Sequence, residues 1–92
     1  MKLLVQGGQT NERFELLLQL TRITSENVIE ALRDHLVKGM TTANAAAINN
    51  IELSSLVRSL KSLEKQASVV EQIKVIDWRH LKQLNVNSIN IG

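Results

Sequence analysis

Apolar residues recur along this chain at intervals of three and four for most of its length, and the breaks in that rhythm mark out its elements. Residues 1–10 begin with Leu3, Leu4 and Val5 and then turn polar through Gln6, Gly7 and Gly8, which predicts a strand-like or flexible arm that packs poorly. From Asn11 to about Leu20, Phe14, Leu16, Leu17 and Leu18 predict a helix apolar on most sides, so it must be deeply buried or shared with a partner. Phe14, Leu17 and Leu18 are therefore its candidate oligomerisation residues. Thr24 or Ser25 can cap a second helix, since a short hydroxyl accepts a hydrogen bond from the free amides of a first turn, and Glu26 suits the positive end of the helix. Val28, Ile29, Leu32 and Leu36 follow at helical spacing, and Gly39 stops them.

The segment from Gly39 to Lys65 has the layout of a helix-turn-helix. Thr41 is a natural cap for a short helix from about Thr42 to Ile48, in which Ala43, Ala45, Ala46 and Ala47 allow another helix to come close. Asn49 and Asn50 supply the turn, because asparagine tolerates left-handed backbone better than most residues. A second helix starts near Glu52, whose carboxylate suits the helix dipole. Ala46, Ile51 and Leu56 fall where such a motif needs a small residue in its first helix, an apolar residue leaving the turn and an apolar residue inside its second helix. On a wheel of about 100° per residue, Leu53, Leu56, Leu60 and Leu63 form a stripe to bury, while Ser54, Arg58, Lys61 and Lys65 lie on the far side with Ser55 and Ser62 beside them. A narrow helix with reaching cations and few bulky neighbours suits the major groove of a duplex.

Beyond Gln66, the residues Ala67, Val69, Val70, Ile73 and Ile76 keep an apolar rhythm to about Val75, and the pattern leaves open whether they prolong the second helix or turn back. Trp78, Leu81 and Leu84 predict a last short helix from about Asp77, with Trp78 as a packing anchor, and 85–92 is an asparagine-rich tail. The expectation is an all-α fold: a small helical domain of about five helices over 11–84, a central helix-turn-helix at 41–66, an arm at 1–10 and a tail at 85–92.

Composition narrows the functional classes. A chain of 92 residues builds one modest core, so a self-contained enzyme of this size would be unusual. It has no proline and no cysteine, which favours helices, excludes disulfides and thiolate metal sites, and fits a reducing cytoplasm. No run approaches the roughly 18 apolar residues that span a bilayer. The net charge of +2 is uneven: Met1 to Asp34 carries four basic and five acidic residues, and His35 onward carries seven basic and four acidic. The helix-turn-helix half is thus +3 against −1 for the leading half, a field that can orient a domain toward phosphates. His35 and His80 have no second ligand at metal spacing and read as structural, and Ser54 and Ser55 have no activating histidine or acid. No metal, cofactor, small-molecule ligand or catalysis is expected.

Several of these residues carry a resemblance. Phe14, Leu16 and Leu17, then Ile23, Ser25, Val28 and Ile29, then the Asp34-to-Gly39 segment DHLVKG, look like the leading helices of the enterobacterial fimbrial adhesin-biosynthesis transcription regulators, the type represented by the regulator of P pili. Ile51, Leu56, Leu60 and Leu63 fall where that family's helix-turn-helix has apolar positions, and the similarity runs over residues 13–73 without a gap. The resemblance implies an all-helical bacterial protein of the cytoplasm and nucleoid that binds A/T-rich double-stranded DNA near fimbrial promoters as a homodimer or higher oligomer. It activates or represses according to the sites it occupies. The chain departs from the family at Thr42 and Ala43, where relatives carry basic residues.

The candidate DNA-binding residues are accordingly Thr41, Thr42, Ser54, Ser55, Arg58, Lys61, Ser62 and Lys65. In this reading phosphate contacts set the register, and Arg58 with Ser54 or Ser55 reads base edges. The missing basic pair supports an alternative, a helical interaction module or antagonist that dimerises without strong DNA binding.

Overall fold

The computed structural model describes the backbone of residues 3–91 and the side chains of residues 3–83. Four helices in chain order, α1 (Asn11–Gln19), α2 (Glu26–Leu36), α3 (Thr42–Ile48) and α4 (Leu53–Ile91), make up the described residues, with no strand among them. The all-α expectation holds. The count is four because the segment after Gln66 runs on as one 39-residue helix, so no separate helix starts at Asp77. The tail expected at 85–92 lies outside the described side chains.

Local chemistry accounts for the helix boundaries. The Thr10 hydroxyl accepts the Arg13 amide to start α1, and the Thr41 hydroxyl accepts the Asn44 amide to start α3. Ser25 caps α2 by position, without a side-chain hydrogen bond. Past α2, Gly39 turns the chain with φ 85°, a conformation open to glycine because it has no Cβ, and the Met40 amide returns to the Asp34 carbonyl at 2.9 Å. Asn50 takes the left-handed conformation expected of the turn, at φ 56°.

The core is aliphatic around one aromatic ring. Phe14 and Leu17 of α1 close against Leu32 and Leu36 of α2 and Leu56 and Leu63 of α4, while Ala45 and Ala46 let α3 approach closely. This overturns part of the expected oligomer seam. Phe14 is 0 % and Leu17 4 % exposed, so their surface is spent within the protomer; Leu18 is half-buried against the same core, and the exposed residues of α1 are Leu16 and Leu20. Arg33 ties α1 to α2: its guanidinium donates to Glu15, Glu30 and Asn11 and sits 5.3 Å from the centre of the Phe14 ring. The hydrogen bond to Glu15 raises the Arg33 pKa above its ordinary value. A raised pKa stabilises the fold below the unfolded value, so this contribution is present throughout the working pH range.

The arm is seated, contrary to the flexible segment expected. The Gly7 and Gln9 amides donate to the carbonyls of His35 and Leu36, each at 2.9 Å, and so satisfy oxygens that the last turn of α2 leaves without an intrahelical partner. The Leu3 and Leu4 amides donate to the Glu64 carboxylate of α4, and Leu4 is buried. This seating needs glycine at position 7, where φ is 66° and an added Cβ would lie 3.1 Å from the Gly39 Cα.

α4 outreaches the bundle. At about 1.5 Å per residue its 39 residues account for the 60 Å length of a molecule only 22 Å across. Trp78 lies on this projecting part and is 66 % exposed, so it is not the packing anchor that the sequence predicts. Among the described residues no helix is long and apolar enough to cross a membrane.

Candidate nucleic-acid interface

The α3–turn–α4 unit is held by its own polar links as well as by the core. Ala46 is buried, Ile51 is partly buried and Leu56 is fully buried, as the motif requires. The Asn49 side-chain amide donates to the Asp34 carboxylate at 2.9 Å and to the Ala45 carbonyl at 2.8 Å, and the Ile51 amide donates to the Ala46 carbonyl at 3.0 Å. Asp34, buried and also paired with Lys38 at 3.3 Å, therefore clamps the turn to α2. Sequence reasoning passed over this residue; an acid inside an apolar stripe, four positions before a lysine, was the available signal.

Within α4, Leu56 and Leu63 face the core and Leu60 is partly buried, whereas Leu53 is exposed and is not part of the buried stripe. The opposite face carries Ser54, Arg58, Lys61, Ser62 and Lys65, all exposed and confined to about 100° of arc. Ser55 lies at its edge, half-buried. Among the described residues Arg58, Lys61 and Lys65 make no ion pair, unlike Arg13, Arg33, Lys38 and Lys74.

Glu64 stands between Lys61 and Lys65 in sequence, but its carboxylate turns aside to the arm amides. The arm thus engages the acid in this stretch that would otherwise oppose a polyanion. The functional consequence of the arm lay beyond the sequence reading, because its partner is 60 positions away.

α3 presents its N-terminus beside this face. Thr41 is exposed, and Thr42 lines, with His35, Val57 and Lys61, a cavity of about 490 Å³ between the arm and α4. Thr42 and Lys61 are thereby brought together, while Arg58 and Lys65 stand on the open side of α4 away from that cavity. The His35 Nδ1 lies 2.7 Å from the Met40 carbonyl, a hydrogen bond that steadies the segment leading into α3. Ala43 is exposed and offers no charge where the resemblance led one to look for it.

Three comparisons with known proteins bear on this geometry. The family model described as PapB, adhesin biosynthesis transcription regulatory protein, matches residues 1–76, from the arm to about six turns into α4. The crystal structure of Escherichia coli FocB superposes with a TM-score of 0.75 at 25 % identity, covering 79 % of this chain and 83 % of that one. No curated protein matches significantly.

Proposed function

This chain belongs to the adhesin biosynthesis transcription regulatory protein family, a family of regulators and not of enzymes, and from that premise we propose that it acts by binding duplex DNA through the outward face of α4. The observation that carries the proposal is the set of three unpaired cations, Arg58, Lys61 and Lys65, on one side of a core-backed helix. Thr41 and Thr42 at the start of α3, with Ser54, Ser55 and Ser62 on α4, supply short hydroxyls beside those cations, where a phosphate backbone approaches without obstruction. The protein works as a homodimer or higher oligomer on A/T-rich sites near fimbrial promoters, in the bacterial cytoplasm at the nucleoid. It needs no cofactor.

The test is fluorescence anisotropy with one A/T-rich and one G/C-rich duplex across a salt series, on the parent and on an Arg58→Ala/Lys61→Ala variant. Binding that favours the A/T-rich duplex, falls with salt and is lost in the variant is the expected result. Parent protein that binds neither duplex at low salt would remove the proposal. The neutral surface at Thr42 and Ala43 favours a second reading, an antagonist that pairs with other copies and leaves DNA alone. That reading predicts self-association with no anisotropy change.

A further inference from the structure

Val57, Leu60, Lys61 and Glu64 of α4 follow one another at intervals of three, one and three, so they share one side of the helix within about 100° of arc. That side is the wall of the cavity of about 490 Å³ that the arm roofs with Leu4. The roof is fastened at both edges: Gln6 Nε2 donates to the Gly39 carbonyl at 2.7 Å, and the Leu4 amide donates to the Glu64 carboxylate at 3.0 Å. The space is therefore preformed, and its volume lies within the range of about 300–1,000 Å³ that holds small organic molecules. Its apolar part is Leu4, which is buried, Leu60, which is partly buried, and Val57, which is 37 % exposed.

The polar groups on this lining are unequally engaged. Glu64 accepts from the Leu3 and Leu4 amides, and His35 commits Nδ1 to the Met40 carbonyl. Lys61 makes no ion pair among the described residues, and the half-buried Thr42 adds a hydroxyl to the same lining. The charge left to a ligand is thus positive, and it stands at the edge of an apolar space. We propose that this cavity binds a small organic carboxylate with an apolar body. The carboxylate meets the Lys61 ammonium and the Thr42 hydroxyl, and the body lies along Val57 and Leu60 under Leu4.

Lys61 belongs to two surfaces at once. On the wheel it lies about 40° from Val57 in the cavity wall, and about 40–60° from Lys65 and Arg58 on the outward face. A carboxylate that holds the Lys61 ammonium over the cavity withdraws one of the three cations offered to a duplex. Ligand and DNA then compete for one side chain, and each weakens the other by the same factor. This coupling rests on the DNA-binding reading, whereas occupation of the cavity does not.

Amide chemical shifts of the isotope-labelled full chain test the site, with phenylbutyrate as the probe and phenylbutanol, phenylbutylamine and inorganic phosphate beside it at matched ionic strength. Phenylbutyrate should bind with a dissociation constant of about 0.1–5 mM and move the amides of Leu4, Thr42, Val57 and Lys61. The alcohol and the amine should bind at least about fivefold more weakly, and phosphate should leave those amides in place. Lys61→Gln should weaken phenylbutyrate at least about fivefold, whereas Lys65→Gln, which removes an equal charge outside the cavity, should bind it as the parent does. Val57→Phe should fill the cavity and abolish the shifts with melting unchanged, since Val57 is not in the core. No shifts at these residues up to about 20 mM phenylbutyrate, equal binding of the amine or the alcohol, or equal weakening by Lys65→Gln would overturn the proposal. In anisotropy with the A/T-rich duplex, saturating phenylbutyrate should weaken the parent by about fivefold and leave Lys61→Gln unaffected. DNA affinity indifferent to the bound ligand would overturn the coupling. A parent that shows the shifts and binds no DNA would remove the DNA-binding reading and the coupling with it, but not the site.

Discussion

The two halves of α4 share one backbone and differ in what stands behind and before them. From Leu53 to Ala67 the rear of the helix is fastened by Leu56, Leu63 and Ala67, all fully buried, and the front offers Arg58, Lys61 and Lys65. From Val69 onward backing fades after Val70 and the Arg13–Glu71 pair, and the front becomes Val69, Ile73 and Ile76. A charged front is useful only if its base is rigid, since a loosely held cation gives up much of what it gains in ordering entropy. An apolar front on an unbacked helix is costly to leave wet, so its stability depends on what covers it.

The largest expected effect breaks the first half from behind. Leu63→Ala removes a fully buried side chain and should cost about 2–5 kcal/mol in chemical denaturation, with DNA binding lost alongside the fold. Next in size, Arg58→Ala should leave stability unchanged and cost about 1–3 kcal/mol of DNA affinity with relaxed sequence preference. Lys65→Ala should instead weaken all sequences alike and reduce the salt slope by about 1, which anisotropy at several salt concentrations would resolve. Glu64→Gln keeps an oxygen for the arm amides but removes the charge, so about 1 kcal/mol of stability should go, measured by thermal melting. Smallest of all, Ile76→Ala should change the stability of dilute protomer by no more than about 0.5 kcal/mol, because the side chain is exposed there. A cost near that of Leu63→Ala would erase the distinction between the halves.

Most of the helical plan was readable because its signals are local. Thr41 as a cap, the asparagine pair as a turn and Gly39 as a stop each act through backbone within a few residues, and α3 spans Thr42–Ile48 as they predict. The outward set of Arg58, Lys61 and Lys65 was also legible, since the leucines opposite them set the rotation of the helix. Periodicity could not decide whether 66–76 continued, because Ala67, Val69, Val70, Ile73 and Ile76 keep a helical rhythm whether the chain runs on or turns back. Nor could it assign Phe14 and Leu17 to the protomer's interior, which depends on Leu32, Leu36 and α4 closing over them. The arm was misread for a related reason: its partners are carbonyls at the end of α2 and a carboxylate on α4, and no pattern within 1–10 points to either.

The join between Leu4 and Glu64 spans 60 positions of sequence, so synthesis and assembly run in opposite orders. Leu3 and Leu4 leave the ribosome long before α4, yet their carboxylate partner arrives only with the first third of that helix. Until then Lys61 and Lys65 do not exist in the growing polypeptide, and once they emerge the acid between them is claimed by residues translated about 60 positions earlier.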